Sequence, residues 1–323
     1  MEVKGAKVVV LGGGTGSFTV LSGVRNYAEN ITAIVNMVDD GGSTGQLRDE
    51  LGVLPPGDVR QCLIALSGSS EVIRNLFGYR FEEGSLAGHS FGNIFLTALE
   101  KMTGSFPRAI ETASEVLNIK GKVIPVTLEN VRLAMSYDDG EVVAHEGVID
   151  GMSFKAGQRP TVFTQPRATI NSEAKECIED ADIVVIAPGT LHTSTLPLLA
   201  IDGVVDAIAQ SQGTVVYICN LVTNNGQTDG YMVHDFTDEI MRYGKGNELL
   251  DVVLYNTQKP PRDVRSLYEK EGEYWVDCDS SELNKRSFKA IGVDILSSVA
   301  LEKKLIRHDS DAVARMLMKL YFS

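Results

Sequence analysis

Six consecutive residues, Gly12-Gly13-Gly14-Thr15-Gly16-Ser17, stand between an apolar run and a helical pattern. Glycines let a backbone come close to an anion, and a helix N-terminus offers it unpaired N–H groups and the positive end of a dipole. That is the chemistry of a phosphate cradle. No Lys-Ser/Thr pair follows, so the loop is not a P-loop, and a dinucleotide fingerprint counted from Gly12 requires glycine where Ser17 stands. The plain alternative is a tight strand-to-helix turn. Two carboxylates come next. Asp39 lies 23 residues after Gly16, close to where an acid that reads a ribose is expected, about 20 residues on. Asp40 adjoins it, and a second glycine loop, Gly41-Gly42-Ser43-Thr44-Gly45, is redundant for ribose. Hard oxygen ligands suit Mg²⁺, and Asp58 after Pro55-Pro56-Gly57 supplies another oxygen. Turn capping accounts for the same aspartates without a ligand. Arg48 and Arg60 are the nearest cations for phosphate oxygens; pairing with Asp49 or Glu50 on a helix face is their ordinary alternative.

Three further stretches carry polar groups at similar places. Gly88-His89-Ser90-Phe91-Gly92 matches the nucleophile elbow of α/β-hydrolases, but Arg80–Ala87 ahead of it has no strand pattern, so the elbow context fails. The better reading is a loop opening a helix, with His89, Ser90 and Asn93 offering donors; a structural histidine is the alternative for His89. Ala187-Pro188-Gly189-Thr190-Leu191-His192-Thr193-Ser194 follows a buried run and leads into a helix, which suits an anion or simple capping. Cys219-Asn220-Leu221-Val222-Thr223-Asn224-Asn225-Gly226-Gln227-Thr228 follows the next run.

The elements that must position these groups follow from periodicity. Lys7–Leu11 and Ile31–Val38 are continuous apolar runs, as in strands buried on both faces, with a helical pattern from Ser17 to Tyr27 between them. A strand–helix–strand unit implies parallel strands. Helical patterns recur at Arg60–Leu66, Glu71–Phe77, Asn93–Lys101 and Arg108–Val116. Between 122 and 165 the pattern changes to short strands at Val123–Thr127, Val131–Tyr137, Val142–Ile149 and Thr161–Phe163, with a hairpin signal at Asp138-Asp139-Gly140. The parallel pattern then resumes, with strands at Ile183–Ala187, Val215–Cys219 and Val252–Tyr255, and ends in a helix over Asp311–Tyr321. The expectation is one α/β domain over 1–323: a doubly wound, mostly parallel Rossmann-like sheet with an antiparallel β insertion at 122–165. In such a sheet the loops at the carboxyl ends of the strands converge on one crevice.

Composition bounds the partners. A net charge of −13 argues against general nucleic-acid binding and against an anionic membrane surface, while leaving room for a local basic pocket. The four cysteines form no CxxC pair and suit a reduced compartment. Met1–Gly5 leads into a strand and reads as no signal peptide. The uncharged stretch Ile183–Ile201 is broken by Pro188, Gly189 and Pro197 and is no membrane span. The expectation is a cytoplasmic protein.

Taken together, GGGTG at 12–16, DDGGSTGQLRDELGVLPPGDVR at 39–60, GHSFGN at 88–93, APGTLHTS at 187–194, CNLVTNNGQT at 219–228 and RHD at 307–309 resemble the YvcK-type gluconeogenesis factor family, within the CofD-like superfamily of 2-phospho-L-lactate transferase. The resemblance implies a bacterial protein supporting cell shape and wall growth on gluconeogenic carbon sources, binding a UDP-sugar or an NAD-like nucleotide. The related transferases use a divalent metal. By similarity, Asp40 and Asp58 stand on the metal side, and Gly13, Thr15, Asn220 and the Gly189–Ser194 loop face the nucleotide. Tyr268 and Arg307 resemble the tyrosine and arginine linked to UDP-sugar binding; a helix-face aromatic and a pair with Asp309 are their plain alternatives. Ala187, His192 and Gln227 depart from the family pattern, Gln227 by replacing a glutamate. Expected partners are the small ligand, a protein of cell-wall synthesis and further copies of the chain. Three functions follow: a non-catalytic nucleotide sensor, a Mg²⁺-dependent transferase with Asp40, Asp58 and His89 as candidate catalytic groups, and a nicotinamide dehydrogenase, which Ser17 disfavours.

Overall fold

The computed structural model describes residues 3–322; Met1 and Glu2, part of the N-terminal stretch discussed above, lie outside them. Seven strands form one parallel sheet: β1 (Val3–Gly12), β2 (Ala28–Val35), β3 (Lys122–Pro125), β7 (Ile183–Ile186), β8 (Thr214–Ile218), β9 (Val252–Asn256) and β10 (Lys289–Val293), in the spatial order β10-β9-β8-β7-β1-β2-β3. Three more, β4 (Arg132–Ser136), β5 (Val142–Ala144) and β6 (Thr161–Gln165), form a separate antiparallel sheet ordered β5-β4-β6. Val8–Leu11 of β1 pair with Ile31–Ile34 on one side and Ile183–Ile186 on the other, so helices cover both faces and the strands are apolar throughout.

The seven helices that bear on the site are α1 (Gly14–Val24), α2 (Gly42–Leu51), α3 (Gly57–Leu66), α4 (Glu71–Gly78), α5 (Phe91–Thr103), α6 (Phe106–Leu117) and α7 (Glu146–Asp150). A final helix, Ser310–Tyr321, lies on α1, where Gly23 comes so close to it that an added Cβ would sit 1.9 Å from the Ser310 carbonyl oxygen. The doubly wound expectation holds, with two corrections. Lys122–Pro125, grouped with the insertion on sequence, is instead the edge strand of the parallel sheet, paired with Thr32–Val35. Within the stretch expected to be a strand over Val142–Ile149, only Val142–Ala144 is extended and Glu146–Asp150 is α7. The strand Lys289–Val293 has no counterpart in the sequence reading. Among the described residues no helix is long and apolar enough to cross a membrane.

From β1 the chain winds one way, to β2 and β3; after the antiparallel sheet it returns to the other side of β1 as β7 and winds outward to β8, β9 and β10. The direction reverses between β1 and β7, and ligands of doubly wound sheets bind outside the strand ends at such a switch point.

Candidate functional site

At that switch point lies a cavity of about 350 Å³, within the size range of small-molecule sites. Its walls are the loops after β1, β7 and β8. Gly13, Gly14, Thr15 and Gly16 come from the first, Pro188, Gly189, Thr190 and Ser194 from the second, and Asn220 to Asn224 from the third; Glu273, Ile306, Arg307 and His308 close the far side. The first two loops touch: a Cβ on Gly16 would sit 1.6 Å from the Pro188 carbonyl oxygen, so only glycine fits there. Asn220 ties the other pair together, donating from Nδ2 to the Gly189 carbonyl at 2.7 Å while Oδ1 accepts from the Tyr217 hydroxyl at 3.0 Å. Asn36, just beyond β2, donates to the Thr193 and Ser194 carbonyls. Thr223 accepts from the Tyr274 N–H at 2.9 Å, and His308 donates to the Cys219 carbonyl at 3.1 Å. Burial lowers the His308 imidazole to about 4, so at neutral pH it is an uncharged lining group.

Arg307 is the one cation among the lining residues. Its Nη1 donates to its neighbour's carbonyl, Ile306 O, at 2.8 Å, while Asp309 is occupied capping the Ser310–Tyr321 helix through the Ala312 N–H. Tyr268 does not line the cavity. Its hydroxyl accepts from the Ile306 N–H at 2.9 Å, and its ring packs on a small cluster around Leu221, Val264, Leu296 and Ile306, so it positions the segment that carries Arg307.

The carboxylates stand behind the glycine wall. Asp58 Oδ1 accepts from the Gly14 N–H at 2.9 Å, and a Cβ on Gly13 would lie 2.0 Å from its Oδ2. Burial, then the charge of Asp39, pushes the Asp58 carboxyl up to about 7. Asp39 Oδ1 accepts from Gly41 N–H at 3.0 Å, the turn cap that is the alternative to reading a ribose, and Asp39 does not line the cavity; burial nevertheless raises its carboxyl above the ordinary range. Glu146 of α7 joins them, raised to about 8 by burial and by Asp39, Asp150, Asp40 and Asp58 in that order. Glu146 carries no signal in the sequence, because the fold brings it there from 107 residues beyond Asp39 and 88 beyond Asp58.

Asp40 is placed differently. Its carboxylate meets Arg132 Nη1 at 3.2 Å, His145 Nδ1 at 3.2 Å and the Gly147 N–H at 3.0 Å, and these outweigh burial to hold it below its usual range. It clamps the antiparallel sheet onto the β2 loop, and the acid that faces Asp58 is Asp39. Among the described residues no three His, Cys, Asp or Glu side chains form a ready-made metal cage.

The remaining expected residues form a chain beside the crevice. Arg60 Nε donates to Asn93 Oδ1 at 2.8 Å, Asn93 Nδ2 to Ser43 Oγ at 3.3 Å, and Ser43 lies 2.9 Å from His89 Nδ1. Ser90, fully buried, caps α5 by accepting from the Asn93 N–H, so the loop opens this helix as read from sequence, but Ser90 does not line the crevice. Arg48 is buried against the Asp39 carbonyl and Asn130, not on a solvated face. Thr193 is buried and donates to Asp150 at 3.2 Å; Gly12 lies beneath the Ser17 hydroxyl. His192 is a core residue, edge-on to Phe154 and lowered to about 3 by burial. Gln227 is buried too, and its amide donates to the Ile149 and Asp150 carbonyls at 2.7 and 3.1 Å, contacts a glutamate does not make.

The model of the family described as 2-phospho-L-lactate transferase CofD matches residues 8–296. A gluconeogenesis factor from Bacillus subtilis (strain 168) is 37% identical over 319 residues, covering 97% of this chain and 98% of its own. Another, from Halalkalibacterium halodurans, is 40% identical over 322 residues, 98% of this chain and 97% of its own. A crystal structure of a UPF0052-family protein from Bacillus halodurans superposes with a TM-score of 0.90 at 38% identity, covering 97% of this chain and all of that one.

Proposed function

This chain belongs to the CofD family, and on that premise we propose that it is a gluconeogenesis factor whose switch-point crevice binds a nucleotide-type ligand, a UDP-sugar or an NAD-like molecule. The observation that carries the reading is the convergence of three strand-end loops and Arg307 on one cavity of about 350 Å³. A diphosphate suits the backbone N–H groups at the start of α1, where the helix dipole favours negative charge. The hydroxyls of Thr15, Thr190 and Ser194 and the amide of Asn220 are groups able to orient sugar and base, and Arg307 balances charge. In this proposal the protein is cytoplasmic, supports cell shape and wall growth on gluconeogenic carbon sources, and acts through a protein partner.

The acidic wall favours a second reading, a transferase of phosphorus-containing groups. Asp58 and Glu146 are raised by burial first and then by the neighbouring acids that crowd them. A divalent cation would relieve that crowding, which is the fit the residues offer to Mg²⁺. Asp39 and Asp58, the two acids that face each other, would hold it, in place of the Asp40 and Asp58 pair implied by family likeness. Mg²⁺ is commonly bound by one or two carboxylates plus substrate phosphates, so the lack of a full protein cage is no obstacle. When bound, it would neutralise phosphate oxygens. The chain's own residues would bind and orient the donor, with no protein nucleophile required.

The test is a melting-temperature panel of UDP-sugars and NAD with and without Mg²⁺, with mass analysis of the ligands afterwards. A ligand that raises the midpoint and is recovered intact supports the sensor; metal-dependent consumption selects the transferase; no shift across the panel refutes nucleotide binding.

A further inference from the structure

A second cavity, of about 570 Å³, opens between α1, α3 and α4, and Thr15 borders both it and the crevice. Three arginines line it, Arg25, Arg60 and Arg74, and none of its lining residues is acidic. In a chain of net charge −13 such segregation is notable. An adjoining cavity of about 340 Å³ shares Arg25 and Arg74, adds Lys120, and again has no acid in its lining.

The arginines are held by neutral partners. Arg25 Nη1 donates to the Ala65 and Ser67 carbonyls at 3.0 and 2.7 Å, Arg60 Nε to Asn93 at 2.8 Å, and Arg74 Nη1 to the Ser69 carbonyl. Arg60 is only 9% exposed. These contacts fix the guanidiniums while leaving donors unspent, the arrangement that suits bidentate recognition of phosphate. Burial and the like charge of Arg74 hold Arg25 below its ordinary value. An anion in the cleft relieves that crowding. Between the arginines the floor is apolar, formed by Phe18, Ile64 and Ala65, with Tyr79 at the rim, 51% exposed.

We propose that the cleft between α1, α3 and α4 is a separate binding site for a phosphate monoester carried on an apolar or aromatic body. Its charge comes from Arg25, Arg60 and Arg74, and its preference for a ring from Phe18 and Tyr79. The site is independent of what the switch-point crevice binds, and the shared Thr15 places the two ligands side by side.

The test is calorimetric titration with phenyl phosphate and with inorganic phosphate. Four proteins are compared: wild type, Arg74→Gln, Asn75→Asp and Arg307→Gln. Asn75 is an exposed lining residue, so its change adds a negative charge with no loss of packing; equal melting temperatures check that each variant is folded. The expected result is tighter binding of phenyl phosphate than of inorganic phosphate, a loss of about 10-fold or more in Arg74→Gln and Asn75→Asp, and no change in Arg307→Gln. Absence of binding at millimolar phenyl phosphate overturns the proposal, as does binding indifferent to Arg74 and Asn75. Loss confined to Arg307→Gln moves the ligand to the crevice and overturns it too. Failure of nucleotide binding leaves these outcomes untouched.

Discussion

Replacing Asp58 by asparagine should make the ligand-free protein more stable, and by an amount that depends on pH. Asp58 is held against the glycine loop, with Oδ1 on the Gly14 N–H and Oδ2 beneath Gly13. Burial and Asp39 raise its carboxyl from 3.8 to about 7. A raised carboxyl binds its proton more tightly folded than unfolded. The ionised form therefore costs stability above pH 7, and that cost shrinks as pH falls towards 4. The shift corresponds to about 4 kcal/mol at pH 8 and about 1.5 kcal/mol at pH 5. Asparagine keeps the acceptor for Gly14 but must place an amide group where Oδ2 was. A net gain of about 2 kcal/mol at pH 8 is expected, or roughly 3 °C in the melting temperature of a chain this long. Thermal unfolding in EDTA at pH 8 and pH 5 measures it. A variant less stable than wild type at pH 8, or a gain equal at both pH values, would refute the electrostatic account of the acidic wall.

Three other outcomes follow from the same geometry. His192 and His308 are lowered to about 3 and 4, so each withholds up to about 2 kcal/mol as pH falls from 6.5 to 5, because the unfolded chain takes the proton first; the protonation of Asp58 and Glu146 opposes this in wild type, so urea unfolding of an Asp58→Asn, Glu146→Gln protein should show a steeper acid loss. Arg307→Gln should weaken the nucleotide ligand about 10- to 100-fold in equilibrium titration, as expected for a charge-assisted contact, with the ligand-free melting temperature unchanged. Gly16→Ala puts a methyl 1.6 Å from the Pro188 carbonyl and should cost about 1–3 kcal/mol of stability in denaturant unfolding, along with ligand binding.

The buried half of the fold was legible because burial on both faces writes itself into sequence. Val8–Leu11 and Ile183–Ile186 are unbroken apolar runs, Ile31–Val35 is interrupted by Thr32 alone, and each is a strand at the centre of the sheet. The edges were not. Lys289–Val293 is half-exposed and carries a glycine, and Lys122–Pro125 was drawn into the insertion because short strands follow it closely. Glycine-rich loops after apolar runs marked most of the crevice wall: Gly13–Gly16, Gly189, Thr190, Ser194, Asn220 and Thr223 meet as their strand ends require. Long-range partners decided the rest. Asp39 and Asp40 are adjacent, yet Arg132, His145 and Gly147 take Asp40 away and leave Asp39 beside Asp58. Arg60 is one of the two cations nearest the second glycine loop in sequence, but α3 turns it into the neighbouring cleft.

Backbone hydrogen exchange with and without a UDP-sugar or NAD tests the central claim most directly, since it reports where a ligand sits. Binding at the switch point predicts slowed exchange at Gly13–Gly16, Gly189–Ser194 and Asn220–Asn224 together, diminished in Arg307→Gln. Unchanged exchange in all three loops, or protection confined to another part of the molecule, would contradict it.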